Sequence, residues 1–252
     1  MRVLLTGGTG FVGSHLLAAL QPAHEVIAPP RSELDLKELD AARLPRAIDA
    51  VIHAAAEIDP SPSMRRVNVD GTRALCDWAA AAGARRFLFL STGGVSAAAR
   101  SEYAATKADA EQVVLSHGAD FEIVVARLYF PYGPGQRGRF IPNLARRIAA
   151  GEPVTLRGAN GTRLSVTYID DAVEALLRLF SAGGSAVVDV AGAGTSVREI
   201  ATILGELLRH PPQFRVEDDD GQHFIADTRL LRERTGFRPS VSLRDGLARS
   251  VA

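Results

Sequence analysis

Residues 1–20, MRVLLTGGTGFVGSHLLAAL, decide the fold. Val3 to Thr6 is a short apolar run that stops at glycines. Phe11 to Leu20 then carries apolar residues at helical spacing, so the stretch reads as strand, tight turn and helix. In TGGTGFVG the glycines at 7, 10 and 13 supply a turn free of Cβ atoms, close approach to a pyrophosphate, and contact between helix and strand. The helix start at Phe11 and Val12 then presents its partial positive charge to the phosphates. A dinucleotide site is expected here, with a purely structural glycine turn as the plain alternative.

The texture of that first unit repeats outward along the chain. Glu25 to Ala28, Ala50 to Ala54, Arg86 to Leu90 and Glu122 to Ala126 are short, nearly continuous apolar runs, separated by helical stretches such as Gly71 to Ala82 and Tyr103 to Ser116. Strands apolar on both faces belong in a parallel sheet covered by helices on both sides, a Rossmann-like doubly wound α/β fold. From Phe130 the cluster FPYGPGQRGRF breaks the pattern and opens a smaller, mainly C-terminal substrate lobe. The expected division is residues 1–129 plus about 166–192 for the dinucleotide-binding domain, and about 130–165 plus 193–252 for the lobe. Ile141 to Ala150 reads as a helix. Thr167 to Phe180 reads as a strand end entering a helix capped by Asp170 or Asp171. Ala186 to Val190 should rejoin the main sheet, and Ser196 to Leu208 and Asp227 to Val251 read as helical. The acidic run Glu217 to Asp220 reads as a solvated loop.

Composition narrows the function. With 252 residues, 46% hydrophobic and 23% charged, the chain can bury a large core, which excludes disorder. Twenty-nine basic residues balance twenty-nine acidic ones, so no net field draws nucleic acid or a membrane surface, and a small molecule is the expected partner. The lone Cys76 sits in an apolar helical stretch as a buried thiol and points to the cytoplasm. No apolar run approaches the ~20 residues needed to cross a bilayer, no cleavable leader is read at the start, and no metal site is expected.

The chemistry is read from YAATK, residues 103–107. Residues four apart share a helix face, so the ammonium of Lys107 can sit near the phenol of Tyr103, favour the phenolate and lower a pKa of roughly 10. A phenol tuned this way exchanges a proton with a substrate hydroxyl near neutral pH. A surface helix is the alternative reading, and the glycine turn upstream tips the balance. At the end of the second strand, where NAD sites carry an acid, Pro29, Pro30 and Arg31 stand instead, so NADP is the preferred cofactor and NAD the other. The plain alternative for Arg31 is an exposed arginine. Asp35, with Leu36 beside it in the cofactor wall, accepts either from the adenine amino group or from the backbone as a cap.

Together these pieces resemble the extended short-chain dehydrogenase/reductase family, the NAD-dependent epimerase/dehydratase group, over almost the whole chain. TGGTGFVG is similar to its cofactor turn, VIHAAA to its adenine and ribose wall (Ala54, Ala55 and Ala56), VNVDGT to its Asn-containing helix, and YAATK to its catalytic pair. RLYFPYGPGQ, TYIDDAVEAL and TGFRPSVSLRDGL resemble later signatures. The resemblance implies that Thr92 hydrogen-bonds the reacting oxygen, Tyr103 transfers the proton, Lys107 also grips the nicotinamide ribose, and Asn68 orders the region through backbone or cofactor contacts. It also implies a homodimer formed through the helices 71–82 and 103–116. Ser91 reads as a local backbone hydrogen bonder, and His53 as a packed histidine with satisfied nitrogens.

Departures bear on the substrate. Only ten residues separate Thr92 from Tyr103, Phe130 stands where relatives often carry an asparagine for the sugar nucleotide, and Leu164 replaces a phosphate-binding arginine, with Arg163 on the opposite strand face. Arg137 and Arg139 in QRGR can offset that loss by forking onto an anion, or are merely solvated, and the helical Arg146 and Arg147 are weaker candidates. The leading expectation is a keto-reductase or epimerase acting at a carbinol or keto carbon of a sugar nucleotide, with RSELDL similar to deoxysugar keto-reductases. A dehydratase lacks support, because Gly93 stands where it needs an acid. The alternatives are a reductase of a small non-nucleotide ketone or aldehyde, and a non-catalytic NADP sensor.

Overall fold

The computed structural model of the chain describes residues 1–98, 100–219 and 221–252. From the N-terminus run β1 (Arg2–Thr6), α1 (Phe11–Leu20), β2 (Glu25–Ile27), β3 (Ala50–His53), α2 (Gly71–Ala81), β4 (Arg86–Thr92), α3 (Glu102–Leu115) and β5 (Glu122–Leu128). Then come β6 (Pro131–Tyr132), α4 (Phe140–Ala149), β7 (Val154–Arg157), β8 (Arg163–Ser165), β9 (Thr167–Tyr168), α5 (Ile169–Ala182) and β10 (Ala186–Val190). The chain closes with β11 (Gly194–Ser196), α6 (Val197–Leu208), β12 (Phe214–Glu217), α7 (Arg229–Thr235) and α8 (Leu243–Val251).

Six strands form one sheet in the order β10-β5-β4-β3-β1-β2, and every pairing is parallel. The apolar runs explain this, since alternate residues of each strand feed two different cores. Val3, Leu5, Ile52 and Leu88 pack under α1 and α5, while Leu4, Val51, Phe87 and Phe89 pack under α2 and α3. The chain leaves β1 outward to β2 and returns on the other side to β3. The carboxyl ends of β1 and β3 therefore part at a switch point, where a crevice for a ligand opens. β4 and β5 each run two residues further than the sequence reading, which carries Ser91 and Thr92 inside a strand.

The later elements pair locally, β6 with β9, β7 with β12 and β8 with β11, while α4, α6 and α8 pack together beside them. Three expectations are corrected. Residues 227–251 hold two helices, because Gly236 at φ 64 ends α7 in the left-handed region and Pro239 follows. α7 packs on α5 and β10 of the main sheet side. Neither Asp170 nor Asp171 caps α5; the cap residue is Tyr168, without a side-chain bond. Glu217 ends β12, Asp218 and Asp219 are exposed, and Asp220 lies outside the described residues.

Asp171 is instead buried and holds the C-terminal segment. Its carboxylate accepts from the Ser240 N–H (2.9 Å), the Ser240 hydroxyl (2.8 Å) and the Val241 N–H (3.1 Å). Asp171→Ala removes the buried acceptor of two backbone donors and a hydroxyl, and urea unfolding is expected to show a loss of about 2–4 kcal/mol. A loss below about 0.5 kcal/mol would contradict this anchor.

Candidate active site

A cleft of about 660 Å³ opens at the carboxyl ends of β1, β3, β4 and β5. Its floor is the glycine turn. Gly7 has φ +75, and a Cβ there would lie 2.6 Å from the Ala55 nitrogen; a Cβ on Gly13 would lie 2.0 Å from the Gly7 carbonyl oxygen. Only glycine lets helix, turn and the β3 exit come this close. Gly10 caps α1 without any side-chain hydrogen bond, and Gly10, Phe11, Val12 and Gly13 all face the cleft. First-turn N–H groups without a side-chain acceptor, at the positive end of a helix, fit a pyrophosphate. Ala54, Ala55 and Ala56 line the cleft, as do Arg31, Asp35 and Leu36. Asp35 accepts from the Lys37 N–H (2.9 Å), so the capping alternative is realised while the residue still lines the cleft.

Thr92 and Tyr103 line the same cleft. Thr92 ends β4 and its Oγ1 accepts from the Gly94 N–H (3.3 Å), which leaves the hydroxyl proton free to point at a ligand. Tyr103 sits in the first turn of α3, whose start is capped by Ser101, and it is half-buried. Lys107, one turn on, is buried with Nζ 3.8 Å from the centre of the Phe89 ring. Burial pulls the Lys107 ammonium down to about 7 against the opposing attraction of Glu111, and burial pushes the Tyr103 phenol up to about 12 against the charge of Arg139. The expected acidification of Tyr103 is therefore corrected. An ammonium removed from water is itself destabilised, and desolvation of the phenolate outweighs its neighbours.

Other site residues fall where their chemistry explains. Asn68 stands behind the wall: its Oδ1 accepts from the Glu57 N–H (2.8 Å), while its Nδ2 donates to the Glu57 carbonyl (2.9 Å) and to Thr106 Oγ1 (3.0 Å). It serves the cleft by fixing protein, not by lining it. His53 is buried with both nitrogens bonded, to Thr6 (2.7 Å) and Thr72 (2.9 Å). Ser91 donates to the buried Glu111 rather than to local backbone, and Glu111 also takes the guanidinium of Arg127 at 2.7 and 3.0 Å. Phe130 and Arg139 line the cleft, whereas Arg137 is exposed outside it. Arg139 is held by Asp59 (2.8 Å). Leu164 is buried and bridges to Phe224, and Arg163 is exposed. The sequence reading missed Glu57, Tyr129, Phe140 and Phe224 among the lining residues. Glu57 directly follows the VIHAAA wall, a signal that was there to be taken. Phe140 and Phe224 arrive from distant segments that no local pattern joins.

This geometry places the chain beside known proteins. The profile of the NAD dependent epimerase/dehydratase family matches residues 3–191, so the chain belongs to that family. It is 30% identical to GDP-6-deoxy-D-mannose reductase of Pseudomonas aeruginosa, covering 98% of this chain and 94% of the relative. That alignment spans 294 positions against a chain of 252 residues, so the relative carries insertions absent here. Among solved structures, MoeE5 in complex with UDP-glucuronic acid and NAD superposes with a TM-score of 0.83 at 29% identity, covering 100% of this chain and 98% of that one. UDP-glucose 4-epimerase from Thermus thermophilus in complex with NAD gives 0.81 at 27%, covering 100% and 98%.

The Lys107 shift has a sign that stability measurements can read. Between about 7 and its unperturbed 10.5, the unfolded chain holds a proton on this amine that the folded chain has released. Raising the pH through that window therefore favours folding. Below about 7 both states are protonated and the penalty of the buried charge is fully present. Unfolding free energies measured from pH 7 to 9.5 are expected to rise in wild type relative to Lys107→Met, by at most about 1.4 kcal/mol per pH unit. Parallel curves would show that the amine is solvated.

Proposed function

We propose that the chain is an NAD(P)-dependent oxidoreductase that works at a carbinol or keto carbon of a nucleotide-linked sugar, as a keto-reductase or an epimerase. The observation carrying this reading is that Thr92 and Tyr103 share one cleft with the glycine turn of α1. When bound, the nicotinamide dinucleotide supplies or takes the hydride. In the reducing direction Tyr103, protonated up to about 12, donates its O–H proton to the substrate oxygen, and Thr92 donates a second hydrogen bond to the same atom. Lys107, one helical turn from Tyr103, stabilises the negative charge left on the phenol oxygen and replaces its proton from an amine balanced near 7. Dehydration fits poorly, since a side chain on Gly93 would meet the Tyr129 ring at 2.4 Å, leaving no room for an acid after Thr92.

On the same reading, residues 1–129 and about 166–192 form the dinucleotide domain, and about 130–165 and 193–252 form the substrate lobe, whose α7 lies against α5 and β10. α2 and α3 pair two copies as a homodimer, and the enzyme is cytoplasmic. Among the described residues no helix is long and apolar enough to cross a membrane.

A second reading rests on the far end of the cleft. Phe130 holds φ 36, a backbone region disfavoured for a bulky side chain, and packs edge-on against Phe140 (6.2 Å) and Phe224 (5.5 Å). With Arg139 already paired to Asp59, that end offers rings rather than cations, which suits a small apolar ketone or aldehyde. Thermal-shift screening separates the two: stabilisation by UDP-, GDP- or dTDP-sugars supports the first, and stabilisation by none of them with turnover of small carbonyls supports the second. Under either reading, Tyr103→Phe is expected to lower kcat about 10²–10⁴-fold while dinucleotide affinity changes less than about threefold. Unchanged turnover would remove Tyr103 as the acid.

A further inference from the structure

The end of β2 lacks the carboxylate that usually accepts the adenosine 2′-hydroxyl, and sequence alone therefore favours NADP. The cleft shows a carboxylate arriving from another strand. Glu57, just past β3, lines the same cleft as Arg31, and its Oε2 takes the Arg31 Nη2 at 3.2 Å. The two partners are not equal. Glu57 is clamped, because buried Asn68 bonds both its backbone N–H and its carbonyl, and its side chain is 21% exposed against 62% for Arg31. The acid is the fixed element and the guanidinium is drawn onto it.

Resting on the dinucleotide-site reading, we infer that Glu57 supplies the discriminating acid missing from β2, so that the Glu57–Arg31 pair selects the cofactor with a free 2′-hydroxyl, NAD, over NADP. A carboxylate has lone pairs enough to keep Arg31 and accept a ribose hydroxyl together. A 2′-phosphate brings roughly two negative charges to a wall where Arg31 is already engaged and Glu57 and Asp35 are both acidic. To bind it, Arg31 must abandon Glu57 and leave that acid facing the phosphate.

The test is equilibrium binding of NAD+ and NADP+ to the purified full chain by calorimetry, independent of any turnover. Wild type is expected to bind NAD+ at least about tenfold more tightly than NADP+, and Glu57→Gln, which leaves the Asn68 backbone bonds intact, is expected to swing that ratio toward NADP+ by about tenfold. Adding Arg31→Met to Glu57→Gln should remove the gain in NADP+ affinity. Melting curves of each variant check that the fold is kept. Tighter binding of NADP+ by wild type, or an unchanged ratio in folded Glu57→Gln, overturns the assignment while leaving the dinucleotide site standing. Binding of neither nucleotide overturns both.

Discussion

Tyr103 stands where it does because a chain of buried hydrogen bonds ties its helix to the glycine turn. The Ala55 N–H donates to Thr6 Oγ1 (3.3 Å), and Thr6 meets His53 Nδ1. On the far side His53 Nε2 meets Thr72 Oγ1, and Thr72 donates to the Asn68 carbonyl (2.7 Å). Asn68 Nδ2 then donates to Thr106 Oγ1, which donates to the Tyr103 carbonyl (2.9 Å). The directions interlock. Thr72 has spent its one proton on Asn68, so His53 must donate from Nε2 and accept at Nδ1, and burial with the nearby Lys107 charge keeps the imidazole neutral by holding its pKa well below the usual value. Four elements, β1, β3, α2 and α3, are thereby set in one register, with both ring nitrogens of His53 bonded.

Beside this neutral chain runs a charged one. On α3, Tyr103, Lys107 and Glu111 fall on one face at four-residue steps, and the buried Glu111 is shared by Arg127 and Ser91 from β5 and β4. A buried carboxylate is tolerable only with such partners. Burial outweighs the attraction of Glu111 and brings the Lys107 amine down to about 7. The phenol of Tyr103 is thus held protonated up to about 12 by burial, in place of the acidified phenol that the four-residue spacing suggests.

Much of this was legible in the chain itself. Short two-faced apolar runs forecast the parallel sheet, and glycines 7, 10 and 13 forecast the turn, because backbone packing there admits no side chain. The pairing of Tyr103 with Lys107 is read from their four-residue spacing and Thr92 from the family resemblance, and the structure sets Thr92 and Tyr103 in one cleft. What spacing cannot carry is desolvation, so the Tyr103 phenol is raised where a lowered pKa was expected. Long-range partners were also hidden: Asp171 looks like a cap until Ser240 and Val241 are seen folded back onto it. Glu57 and Arg31 lie 26 positions apart and meet past the carboxyl ends of β3 and β2, the two strands that flank β1.

The interlocked chain through His53 is most directly tested by nitrogen-15 NMR of its imidazole in the full-length protein. A neutral ring protonated at Nε2, with no titration between pH 5.5 and 8, is the expected result. A ring protonated at Nδ1, or one that gains a proton near its ordinary pKa of about 6.5, would contradict the register that places Tyr103 in the cleft.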